Sequence, residues 1–295
     1  MEAQDALVAI EEQLRDKWPL LIGYAPKVFD FFKNRLAKRL DAAPAATVAE
    51  FAKSSGIAAG YAASAINGLI AAGKLTEEAA VRRMQEPDFL LTIAALLSDA
   101  GEKQEIFWLS QIEALTSELL LSESQSRKAL VLKTASAAIS GLNSRQLKIL
   151  ALMYKLQFGR LTEMELLQRT AEEFSITVEE TFDSFEETAA DSIDLRIFES
   201  LNLVSFLQHS RAESRLLQQI SGVAQVINQG TSFELPHSAR KIFSLWQGDM
   251  MNARIGFDQA ELTATGYVLG SIVASTLTGS TSSLADEWDE PLPIL

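Results

Sequence analysis

Residues Thr47 to Glu78 have the residue pattern of a helix-turn-helix unit, and this pattern constrains the fold more than any other in the chain. Thr47 and Glu50 have the spacing of a capping box at a helix N-terminus. Gly56 predicts a turn, and a second helix is expected to run from there to Gly73. Between Ser54 and Gly73, however, the sequence contains no charged residue.

The second helix of this unit has few side chains that read DNA. Tyr61, Ser64 and Asn67 stand among alanines, and the nearest cations are Lys53 and Lys74. Recognition helices present polar or basic side chains to base edges, while neighbouring cations hold phosphates. Small uncharged residues are typical of close helix packing, so protein contact through Tyr61 and Asn67 is favoured over DNA contact. A purely internal packing unit explains the pattern equally well.

Helical patterns dominate the rest of the sequence. Apolar residues recur at helical spacing over 106–121, 126–139 and 146–158, and residues 197–206 are typical of a helix that passes into a short strand. We therefore predict a mainly α, multi-helix fold with helix-turn-helix-like and winged-helix-like units and a few short wing strands.

Three regions are expected along the chain. Residues 1–85 are predicted to form an N-terminal helical domain, 86–279 a helical, winged-helix-like domain, and 280–295 a disordered acidic tail. Within the second region, a further unit is expected to begin at Asn143.

The end of the second region resembles the last part of a winged-helix domain. In a winged-helix domain, a wing strand leads into a terminal helix. Residues Glu261 to Gly266, followed by an apolar helix, have the same order. Gly266 and Gly270 also have the Gly-x-x-x-Gly spacing of membrane helices. Because Thr, Ser, Gly and Ala supply most of this run, we expect a buried helix that ends near Gly279 rather than a membrane span.

The charge of the chain is strongly asymmetric. The net charge of −13 disfavours nucleic acid as a general partner, because phosphates are held by Lys and Arg. One predicted helix is basic, with five cations against Asp30: Lys27, Lys33, Arg35, Lys38 and Arg39. Such a helix is typical of membrane surfaces, nucleic acid or acidic protein faces, but a solvated face over a packed Phe stripe is the simpler interpretation.

Residues 163–199 form an acidic block with twelve carboxylates and two arginines. Glu179, Asp183 and Glu187 lie four residues apart and therefore share one helical face. The simplest interpretation is a solvated face. Docking onto the basic helix of the same or another copy is a second interpretation, and a divalent cation site without calcium-loop spacing is a third.

No constellation of catalytic residues is evident. The chain has no cysteine and two histidines, His209 and His237, and neither lies at a metal-ligand spacing. We expect no cofactor and no metal, and we expect a binding function rather than a catalytic one. The absence of cysteine and the acidic N-terminus favour a cytoplasmic protein. Trp288, among acids and apolar residues, is a candidate anchor of the tail in a partner groove.

One resemblance extends over much of the chain. Glu86 to Phe89, Lys128 to Leu132, Leu142 to Leu150 and Glu261 to Gly266 occur in an order similar to that of an uncharacterised family of helical bacterial proteins. Members of that family occur among mobile-element and phage-defence genes. The resemblance covers roughly residues 86–279 and implies no catalytic residue.

Three functions follow as hypotheses. The first is a non-enzymatic interaction or regulatory component of a bacterial defence or toxin-related system that binds a protein partner or itself. The second is a winged-helix nucleic-acid-binding regulator, and the third is a membrane-acting or enzymatic toxin.

Overall fold

The computed structural model describes residues 47–103, 105–123, 126–158, 192–206 and 260–278. It also describes eight earlier residues, all helical: Asp5, Val8, Glu12, Arg15, Asp30, Asn34, Ala37 and Lys38. Over the described part the fold is mainly helical, as predicted, with eight helices and two short strands. They are α1 (Val48–Ala71), α2 (Glu77–Met84), α3 (Pro87–Ala100), α4 (Ile106–Leu121), α5 (Arg127–Ile139), α6 (Ser144–Phe158), α7 (Ser192–Ser200), β1 (Val204–Phe206), β2 (Ala260–Leu262) and α8 (Ala264–Thr278).

Helix α1 corrects the prediction of a helix-turn-helix with its turn at Gly56. The helix runs through Gly56 without interruption, and Gly56 is buried within it. A glycine inside a helix costs about 1 kcal/mol, which the alanine-rich sequence that follows and the burial of one helix face offset. The predicted capping box is also wrong, because the Thr47 side chain makes no capping hydrogen bond.

The predicted end of this helix is confirmed at Gly73. The helix ends at Ala71, and Gly73 adopts a left-handed backbone with φ of 67°. The amides of Lys74 and Leu75 donate to the carbonyl oxygen of Leu69. This conformation is favourable for glycine and is common where a helix ends. Helix α2 begins soon afterwards, with the Thr76 side chain accepting a hydrogen bond from the Ala79 amide.

Helices α1 to α5 form one compact unit. Helix α4 is its centre: it is buried on several sides, packs along α1 and also contacts α3 and α5. Trp108 of α4 is fully buried, and its indole Nε1 donates to the Ile139 carbonyl oxygen at 3.1 Å. The helices predicted over 106–121 and 126–139 are confirmed, and Ser126 caps the second by accepting from the Ala129 amide.

The observed division of the chain differs from the predicted boundary at residue 85. The first compact unit continues to Ser144 and the second begins at Arg145, close to the second unit expected from Asn143. Residues on both sides of position 85 belong together because α1 packs against α3 and α4. The predicted tail over 280–295 lies outside the described residues.

The second unit contains α6, α7, the two strands and α8. The strands pair antiparallel, with Val204 opposite Leu262 and Phe206 opposite Ala260. Asn202 makes the turn from α7 into β1 with φ of 56°, a conformation that Asn tolerates better than most residues. The expected passage from helix to strand near Phe206, and the strand that leads into a terminal helix, are both confirmed.

The Gly-x-x-x-Gly spacing in α8 serves close packing inside the second unit. A Cβ atom at Gly266 would overlap the carbonyl oxygen of Leu203. A Cβ at Gly270 would lie 2.9 Å from Tyr154 Cβ and 3.0 Å from the Leu150 carbonyl oxygen of α6. The run from Val268 to Ala274 is buried. None of the described helices combines the length and the apolarity that a membrane span requires.

Candidate functional site

The exposed side of α1 is the first candidate for a binding surface. Its buried side consists largely of alanines that pack within the first unit: Ala58, Ala59, Ala62, Ala63 and Ala65. The opposite side is exposed or half-buried and follows one helical stripe. We name it the α1 strip: Ile57, Gly60, Tyr61, Ser64, Asn67, Gly68 and Ala71.

The α1 strip contains no charged residue and one large polar side chain. Tyr61 is half-buried, whereas Ser64 and Asn67 are exposed. From Ile57 to Ala71 the strip extends over about 21 Å at a rise of about 1.5 Å per residue. Because one helix holds the whole strip, its side chains have a fixed spacing. The small-residue pattern read from the sequence thus has two parts, an internal alanine face and an exposed strip.

The second candidate is a cationic stretch that the sequence analysis did not single out. Residues 124–162 contain no acid, and their seven cations are Arg127, Lys128, Lys133, Arg145, Lys148, Lys155 and Arg160. A count of charges along the chain is enough to find this stretch. Such runs are typical of anion-binding surfaces unless carboxylates from elsewhere neutralise them.

Carboxylates on neighbouring helices neutralise at least three of these cations. Lys128 Nζ lies 2.9 Å from a carboxylate oxygen of Glu118 on α4, and Lys133 Nζ lies 2.5 Å from Asp88 on α3. Arg145 Nη1 of α6 lies 2.8 Å from Asp194 on α7. Each pair joins two helices, so these cations stabilise the fold and are poorly placed to hold phosphates.

Of the acidic block, the structure describes the exposed Glu199, which pairs with Arg196 at 2.9 Å, and Asp194. The Asp194 carboxylate is buried and accepts from Arg145 and from Gln146 Nε2, the latter at 3.2 Å. A buried carboxylate requires such partners, because its desolvation is otherwise costly. At this residue the interpretation of a solvated face is therefore wrong. Glu179, Asp183 and Glu187 lie outside the described residues.

Arg83 is a buried cation with a structural role. Its Nε and Nη2 atoms donate to the Leu119 carbonyl oxygen at 3.3 and 3.2 Å, near the C-terminus of α4. Its Nη1 atom pairs with Glu86, and its guanidinium lies 5.8 Å from the centre of the Phe89 ring. A cation at a helix C-terminus satisfies carbonyl groups that have no partner within the helix.

Two carboxyl groups of the first unit have shifted pKa values. The hydrogen bond and the charge of Lys133 lower the pKa of Asp88, which lies at the surface. Partial burial raises the pKa of Glu113 on α4. Within the described residues, no group of three or more His, Asp or Glu side chains is placed to hold a metal ion.

The other predicted interaction residues are mostly outside the described part of the chain. Lys38 is helical and exposed, as expected for the basic helix. The structure does not describe Lys27, Lys33, Arg35, Arg39 or Trp288, nor His209 and His237. The basic helix, the acidic face and the tail anchor therefore stay predictions from the sequence.

Residues 47–144 make up the larger part of the first unit. This region has eight cations and eleven acids, a net charge of −3. Its exposed cations, Lys53, Lys74, Arg82 and Arg127, are distributed over α1, α2, α5 and the turn after α1.

Comparison with known proteins adds no relative: no family model, no curated protein and no solved structure matches the chain.

Proposed function

We propose that the chain is a non-enzymatic interaction component that binds a protein partner or further copies of itself. The observation that carries the proposal is the α1 strip, an uncharged and rigid helical surface in a strongly acidic protein. Small side chains permit a second backbone to approach closely, and an uncharged surface loses little hydration free energy when it is covered. Tyr61 supplies the aromatic anchor that is enriched at such interfaces.

A regulatory role in a bacterial defence or toxin-related system completes this proposal. Its support is the sequence resemblance over residues 86–279. The proposed role needs no cofactor.

The test is the mass of the natively purified full-length chain. We expect an assembly larger than one chain, and we expect S64K/N67K to dissociate it because two cations would be buried without partners. T134K/A137K is the matched control, since both residues are exposed on α5 at the same spacing. A wild-type chain that is monomeric at every concentration, without a co-purifying protein, overturns the proposal.

A second candidate function is nucleic-acid binding by a winged-helix-like unit. The observation that favours it is the antiparallel pair of β1 and β2 followed directly by α8, the order found where a wing leads into a terminal helix. The basic helix over residues 27–39 would supply the phosphate contacts. Reversing Lys33, Arg35, Lys38 and Arg39 to Glu should abolish binding of labelled duplex DNA. Unchanged binding would exclude this helix as the footprint.

A further inference from the structure

We draw no further inference here: the strongest candidate, the apolar surface patch in which exposed Leu91 of α3 and Leu130 of α5 flank the Asp88–Lys133 ion pair, carries nothing because nothing in the structure shows what covers it.

Discussion

At Gly266 the packing of the second unit leaves no room for a side chain. The Leu203 carbonyl oxygen occupies the space that a Cβ atom would need, and backbone yields less readily than a flexible side chain. We expect G266A to lower the free energy of unfolding by about 1–3 kcal/mol, the usual cost of overpacking. Urea denaturation followed by circular dichroism measures the change.

The matched control for this substitution is G68A in α1. Gly68 is also helical, but nothing lies within 4 Å of a Cβ atom placed there. Alanine is the better helix former by about 0.5–1 kcal/mol, so this variant should be slightly more stable than the wild type. If both substitutions had the same effect, the close approach at Gly266 would not limit stability.

Thr263 links the turn before β1 to α8 through one hydroxyl group. Its Oγ1 atom donates to the Asn202 carbonyl oxygen at 2.6 Å and accepts from the Gly266 amide at 3.1 Å. We expect T263A to destabilise the chain by about 1–2 kcal/mol in thermal or urea unfolding, because a helix cap and the hydrogen bond to the Asn202 carbonyl oxygen are both lost. T263S retains the hydroxyl and should stay close to the wild type. A large loss of stability in T263S would show that the effect comes from the methyl group of Thr263.

The sequence indicates close packing at Gly266 and Gly270, but it does not identify the atoms that pack against them. The spacing of Gly266 and Gly270 indicates close approach of another backbone, but the spacing is the same whether that approach occurs in a membrane or in a soluble core. The partner atoms, on Leu203 and Leu150, come from distant parts of the sequence. Their identity depends on the tertiary fold, which no local pattern contains.

At the scale of elements, the Asp88–Lys133 pair joins α3 to α5 and should produce a pH dependence. Lys133 lowers the pKa of Asp88 in the folded chain. The contribution of the pair to stability is therefore present above the unfolded-state pKa of Asp88 and is lost as pH falls through the lowered folded-state value. We expect K133Q to raise the pKa of Asp88 towards its ordinary range in an NMR titration.

The control for this titration is K74Q, which removes an exposed cation from the turn after α1. It should leave the pKa of Asp88 unchanged, because screening weakens the effect of distant surface charges. A pKa of Asp88 that stays low in K133Q would show that the ion pair does not form in solution.

Helix boundaries were predictable where local signals and packing agree. The helices over 106–121 and 127–139 follow from apolar spacing, and Ser126 caps the second as its residue type suggests. The turn at Gly56 was predicted from a local rule, and packing overrides that rule because the residues around Gly56 are buried. The α1 strip was predictable only in part, because the sequence does not say which alanines face inward.

For the whole molecule, the distribution of charge separates the two candidate functions. The chain has a net charge of −13, and several of its cations are held in internal ion pairs. A complex formed through the uncharged α1 strip releases few counterions. Its dissociation constant should therefore change little with salt, whereas a complex that neutralises Z phosphates weakens with a slope of about −0.9Z in log–log form.

For the assembly formed by this chain, we expect a dissociation constant that changes little with salt. The measurement is the dissociation constant of that assembly by analytical ultracentrifugation, between about 50 and about 200 mM salt, a range over which phosphate-held complexes lose about three to five orders of magnitude in affinity. The same salt series with labelled duplex DNA provides the comparison. An assembly that dissociates steeply with salt would contradict contact through the uncharged strip, because screening acts on charges and leaves apolar contacts in place. It would instead favour pairing of the acidic block with the basic helix of another copy.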